Sequence, residues 1–170
     1  QRYFSTAGLT YAILVGDLEQ VPTNLGTYEG AHDDTRYGCV EGDDSYPDLF
    51  VSRISAATVT DVQIQANKLI HYERDPDPAG YWYDRASGVA SDQGIPTYAT
   101  RAGWLRDDLL AYTFSSVDEI YAPTGTTEMI SEALNEGRSL VNYIGHGTGA
   151  AWSNPYFDID SIHALQNGWK

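Results

Sequence analysis

Ser139-Leu140-Val141-Asn142-Tyr143-Ile144-Gly145-His146-Gly147 is the stretch on which the reading of this chain turns. Residues 139–144 are mostly apolar and aromatic, too short for a helix and bounded by glycine, which predicts a strand. Just upstream, Met129, Ile130, Ala133 and Leu134 recur at helical spacing within Thr126–Asn135, and Gly137 stands where a helix C-cap belongs. The unit therefore reads helix, turn, strand, and Gly145-His146-Gly147 falls at the carboxyl end of the strand.

The same alternation extends back through the chain. Leu9–Val15 is a continuous apolar run closed by Gly16-Asp17, which predicts a strand buried on both faces at the centre of a parallel sheet. Pro22–Pro47 has no sustained period and reads as a long ordered loop. Leu49–Ile54 is a second strand, followed by a helix over Thr58–Arg74 with Val62, Ala66, Leu69 and Ile70 on one face, Thr58 or Thr60 as its cap and Pro76 beyond its end. Ala86–Ser91 and Ser116–Tyr121 are strands on either side of a helix over Tyr98–Tyr112, whose face is Trp104, Leu105, Leu109 and Leu110. Such alternation predicts an α/β fold, doubly wound, with a mostly parallel sheet flanked by helices and its site at the carboxyl ends of the strands. After His146 only a short helix, Ile159–Gln166, precedes Lys170, so residues 1–170 read as an incomplete portion of such a domain.

Composition narrows the function. A chain of 170 residues with 42% hydrophobic content buries roughly 70% of its unfolded surface, and one compact domain, or most of one, is expected. The formal charge of −14 and the 10 Lys and Arg argue against a surface that tracks phosphates, so nucleic acid is not expected as a partner. No run approaches the ~20 apolar residues of a membrane span, and no leader opens the chain at Gln1, which places any targeting signal outside this stretch. Cys39 is the only cysteine, which excludes an internal disulfide and a multi-cysteine zinc site. His32, His71 and His163 share no ligand spacing with one another and read as surface or packing residues.

Three chemistries compete for Gly145-His146-Gly147-Thr148-Gly149, beside the plain reading in which His146 fills a turn. A dinucleotide fingerprint needs the glycine turn to open a helix, and Ala150-Ala151-Trp152-Ser153-Asn154-Pro155 is a poor one. An esterase needs a G-x-S-x-G elbow, and the chain has none. A cysteine peptidase needs an imidazole to activate a thiol and an adjacent amide to hold the oxyanion, roles that suit His146 and Gly147 provided the thiol comes from elsewhere.

Residues 139–147 with Ala151-Trp152 resemble the catalytic-histidine segment of the gingipain-type, caspase-like cysteine peptidases. Ala12–Asp17, Asp34–Arg53 and Ile70–Arg74 resemble the same family in the same order. The resemblance implies a caspase-like fold, a Cys-His dyad with His146 as its base, and Gly147 as the oxyanion amide. It places the nucleophilic cysteine after the next strand, just past Lys170, so Cys39 is read as a small buried hydrophobe. It further implies a secreted or cell-surface bacterial enzyme acting on protein or peptide substrates, with the remainder of the peptidase chain as its necessary partner.

At the position where trypsin-like members carry an acidic specificity residue, this chain has Thr97 or Tyr98. Ile144 makes the neighbouring wall apolar, and no strong preference for Arg or Lys is expected, though Asp92 keeps that question open. Asp92-Gln93 occupies the place of the carboxylate that orients the histidine, with Gln93 nearest in register, and Trp152 completes the expected substrate contacts. No cofactor is required for catalysis. Structural calcium, common in the family, has Asp33, Asp43 and Asp48 as candidate ligands within an acidic loop that also holds Asp34, Glu41 and Asp44. The alternatives are a non-catalytic caspase-like binding or scaffolding domain and, further off, an α/β esterase.

Overall fold

In the computed structural model, which describes residues 2–26, 30 and 32–168, the chain divides after Asp75 into two units. Composition predicts one compact domain. The division falls where a helix has ended and Pro76, Pro78 and Gly80 prevent its continuation.

The first unit contains α1 (Arg2–Ala7), β1 (Tyr11–Val15), β2 (Asn24–Leu25), β3 (His32–Asp33), a 3-10 turn at Thr35–Gly38, β4 (Phe50–Ile54) and α2 (Val59–Arg74). β1 and β4 pair in parallel from Tyr11 opposite Phe50 to Val15 opposite Ile54. The predicted burial of β1 on both faces is not what forms. Tyr11 is 67% exposed and Ile13 62%, because among the described residues β1 has one strand neighbour, β4, and alternate side chains point to opposite faces. Of the predicted loop over Pro22–Pro47, residues 27–29 and 31 lie outside the described residues. The rest is held by Arg53, whose Nε and Nη2 each donate to the Asp34 carboxylate at 2.7 Å while Nη1 donates to the Gly16 carbonyl. Such a bidentate fork adds direction to charge. Thr58, not Thr60, caps α2, in a reciprocal capping box with Asp61. Val62 and Ala66 are half-buried, but Leu69 and Ile70, predicted on the same face, are exposed.

The second unit contains β5 (Arg85–Ala90), α3 (Tyr98–Tyr112), β6 (Ser116–Tyr121), α4 (Thr127–Glu136), β7 (Leu140–Ile144), β8 (Ala151–Ser153), β9 (Tyr156–Asp158) and α5 (Ile159–His163). Its parallel sheet has the order β6-β5-β7. The chain runs outward from β5 to β6, then returns past β5 to β7. Because parallel crossovers are right-handed, this reversal puts α3 and α4 on opposite faces, which is the doubly wound arrangement. Val89, near the carboxyl end of β5, is fully buried with Ile120, Ile130, Ala133 and Phe157. On α3 the inward stripe is Ala102, Leu105 and Leu109, while Trp104 is 57% exposed and Leu110 is exposed too. The predicted face was rotated by the larger apolar residues, whereas packing against β5 and β6 favours the small Ala102. α4 follows the prediction, with Thr126 as cap and Gly137 at φ 97°, except that Met129 faces outward. β8 and β9 form a hairpin around Asn154-Pro155.

Ile130→Ala removes a side chain that is 1% exposed and is expected to cost about 2–5 kcal/mol in urea unfolding. Trp104→Ala should change stability by no more than about 0.5 kcal/mol.

Candidate active site

The strand order opens a crevice between the carboxyl ends of β5 and β7, the point where the winding direction reverses and where α/β folds bind ligands. Pairing continues one residue past the strands: the Ser91 N–H donates to the Ile144 carbonyl at 3.0 Å. That bond sets Ser91-Asp92 beside Gly145-His146.

The loop after β7 is built around one missing side chain. A Cβ on Gly145 would overlap the Tyr143 phenol, which folds back over it and donates to the His146 carbonyl at 2.7 Å. The Ser153 N–H donates to the same carbonyl at 2.9 Å, and the Thr148 N–H donates to the Ala151 carbonyl at 2.8 Å. These two bonds flank an antiparallel bridge between Gly147 and Trp152. A pair flanked in this way is the non-hydrogen-bonded type, whose own N–H and C=O groups point away from the partner strand. The Gly147 N–H thus faces outward, and among the described residues it has no acceptor. A Cβ on Gly147 would stand 3.0 Å from the Ala151 oxygen, so the close approach of the two segments favours glycine.

His146 is exposed, and its ring makes a T-shaped contact with that of Tyr98, with centroids 6.5 Å apart at 70°. Tyr98 opens α3, where its N–H donates to the Gln93 carbonyl at 2.7 Å. A Cβ on Gly94, at φ 86°, would come within 2.7 Å of the Tyr98 ring, so glycine there serves both the turn and the ring's seat. The Arg101 guanidinium lies over the same ring, 5.6 Å from its centroid. Asp92 is exposed and accepts from Asn154 Nδ2 at 3.3 Å, linking the end of β5 to the hairpin turn. Gln93 is exposed and contributes its carbonyl to the start of α3. Ile144 is half-buried. Trp152 stacks on Tyr143 with centroids 4.4 Å apart and packs against the core. The crevice thus brings together His146, Gly147, Tyr98, Asp92 and Gln93, while Trp152 supports it from the core side.

Asp158 secures the hairpin from below. Its carboxylate caps α5, accepting from the Ser161 hydroxyl and N–H, and also accepts from the Tyr156 hydroxyl. The Ser161 hydroxyl, then the Ser161 N–H and the Tyr156 hydroxyl, hold its pKa below the ordinary aspartate value.

The three calcium candidates do not form a set. Asp48 accepts from the Val40 and Glu41 N–H groups at 2.9 Å, bonds that lower its pKa. Asp33 accepts from the Thr35 N–H and hydroxyl, and Asp43 is exposed. Among the described residues no three His, Cys, Asp or Glu side chains converge as a metal would need. Asp33 and Asp48 are instead engaged by backbone N–H groups of their own loop. Cys39 is half-buried rather than fully buried, its thiol directed at the Thr35 carbonyl at 3.8 Å.

Gly94, Tyr143, Arg101, Asn154 and Asp158 are site residues that sequence reasoning passes over. Asn154-Pro155 between Ala-Trp-Ser and Tyr-Phe-Asp is the signal that would have found the hairpin.

A doubly wound sheet with an exposed histidine at its switch point, beside an outward-facing glycine amide, is the arrangement of a caspase-like fold with a candidate site at its crevice. Residues 1–170 match the model of Peptidase family C25, and the chain belongs to that family. It is 32% identical over 165 residues to gingipain R2 of Porphyromonas gingivalis, an alignment that takes in 94% of this chain and 22% of that protein. It is 26% identical over 171 residues to Lys-gingipain W83 of the same bacterium, taking in 96% of this chain and 10% of that protein. The crystal structure of the Arg-specific cysteine proteinase gingipain R superposes with a TM-score of 0.88 at 31% identity, covering 98% of this chain and 40% of that one. The chain therefore spans less than half the length of the relatives it matches. No helix among the described residues is long and apolar enough to cross a membrane.

Because the bound form of Asp158 is the carboxylate, its stabilising contribution is present above the ordinary aspartate value of 3.8 and is lost as pH falls through its lower folded value. The protection of the Ser161 N–H against hydrogen exchange, relative to its intrinsic rate at each pH, should therefore fall as pH drops below 3.8. Asp158→Asn should flatten that acid dependence, and equal loss of protection in both proteins would contradict the assignment.

Proposed function

We propose that this chain supplies the base and the oxyanion donor of a cysteine endopeptidase, secreted or displayed by a bacterium and acting on protein or peptide substrates. The nucleophilic thiol is carried by the remainder of the protein, on the segment following Lys170. One observation carries the reading: at the switch point an exposed imidazole is followed by a backbone N–H that its bridge turns away from the hairpin.

In the proposed reaction His146 takes the thiol proton as the sulfur attacks the substrate carbonyl carbon. The carbonyl oxygen becomes an oxyanion that accepts a hydrogen bond from the Gly147 N–H. Collapse of the tetrahedral species breaks the C–N bond, and His146 returns its proton to the leaving amine. A water, deprotonated by the same imidazole, then cleaves the thioester and restores the thiol. Asp92 Oδ1 accepts from Asn154 and Gln93 carries no charge, so the support for His146 is the two bonds to its carbonyl, which hold the loop, and the T-shaped contact of its ring with Tyr98.

Reaction of the full-length protein with a peptidyl acyloxymethyl ketone tests the proposal. The protein is expected to be labelled once, at a cysteine outside residues 1–170. His146→Ala should lower peptide hydrolysis about 10²- to 10⁴-fold, the range for loss of general acid-base help. Unimpaired hydrolysis by His146→Ala would refute the assignment, and labelling by a fluorophosphonate instead would favour the esterase.

A further inference from the structure

We infer that Arg101 determines specificity at this site by receiving an acidic side chain, Asp or Glu, from the substrate residue on the amino side of the scissile bond. The inference rests on the peptidase reading above and assigns its substrate class.

Among the cations that make no ion pair among the described residues, Arg36, Lys68, Arg85 and Arg101, only Arg101 shares a ring with the crevice histidine. The chain has 24 Asp and Glu against 10 Lys and Arg, so a cation can readily find a carboxylate. Arg53, Arg74, Arg106 and Arg138 each do so. Arg101 is exposed and makes no ion pair among the described residues. It lies over the Tyr98 ring and donates one long bond of 3.4 Å to the Ile95 carbonyl. A guanidinium has five N–H donors in a planar fork, so most of them remain available to a carboxylate.

Its position matches the crevice. The Tyr98 ring lies under the Arg101 guanidinium and makes a T-shaped contact with His146, with spacings of 5.6 Å and 6.5 Å. One aromatic ring therefore separates the free cation from the imidazole, a span a substrate side chain can bridge when its carbonyl stands at His146.

The helix beneath agrees. α2, α4 and α5 each place an acidic residue in their first turn, Asp61, Glu128 and Asp160, whereas the first turn of α3 has none. The positive end of the α3 dipole is thus left uncompensated where Arg101 sits, and the two attractions for an anion add. The rival feature is Asp92, which would select a cation; its Oδ1 accepts from Asn154 at the hairpin turn, and the Asp92→Asn variant separates the two readings. The chain's net charge of −14 repels acidic peptides in general, so an acidic preference would have to arise from this local cation.

The test compares kcat/KM of the full-length protein for peptides that differ only in the residue before the scissile bond: Asp, Asn, Glu, Gln, Ala and Arg. The acidic peptides should exceed their amide isosteres by about 10- to 100-fold, the value of a charge-assisted pair. The ratio should fall to near one in Arg101→Ala and recover in part in Arg101→Lys, and Arg101→Glu should favour the Arg peptide. A wild-type ratio near one, a ratio unmoved by Arg101→Ala, or an Arg preference abolished by Asp92→Asn would overturn the inference. Absence of hydrolysis of every peptide would instead remove the peptidase reading. Fluorescence anisotropy with the labelled Asp and Asn peptides then decides separately: Arg101-dependent selectivity upholds the anion site, and equal binding removes it.

Discussion

The pairing of β7 with β5, rather than with β6, is the constraint from which the rest of the second unit follows. It reverses the winding, and with right-handed crossovers it sends α3 and α4 to opposite faces. It also brings two carboxyl ends together with no crossover between them, so the loops leaving β5 and β7 diverge and a crevice opens. The bond from Ser91 to Ile144 carries the pairing to the lip of that crevice. Whatever His146 does chemically, this junction decides what stands beside it.

Support for the histidine loop comes mainly from backbone and aromatic packing rather than charge. Tyr143 can reach the His146 carbonyl because Gly145 leaves room for its ring, and Trp152 then stacks on that ring and ties the loop to the core. The hairpin repays the arrangement by bridging Gly147 in the register that turns its N–H outward. A carboxylate partner for the imidazole is a simpler device, but here Asp92 is turned to Asn154.

Much of this was legible in the sequence because the second unit's strands and helices differ sharply in period. The strand at Leu140–Ile144, the helix before it with its Gly137 cap, and the histidine at the strand's end follow from residue spacing alone. What failed was burial. Leu9–Val15 reads as doubly covered, yet Tyr11, Ile13 and Val15 are exposed, since an apolar run announces a strand without saying what lies on either face. Trp104 failed for a related reason: helical spacing fits two neighbouring stripes on α3, and close packing chose the one containing Ala102. The short strands β8 and β9 were missed and α5 was read three residues too long, because stretches of three to five residues give too few periods to read. The calcium expectation counted carboxylates but could not see that Asp33 and Asp48 are engaged by neighbouring backbone.

The most direct measurement of the central claim is a crystal structure of the full-length protein with a peptide aldehyde bound. The account predicts a hemithioacetal whose oxygen lies about 3 Å from the Gly147 nitrogen, with the sulfur facing His146 across the crevice. An adduct oxygen held by other donors, or a thiol joined to the aldehyde on the far side of β6, would contradict it.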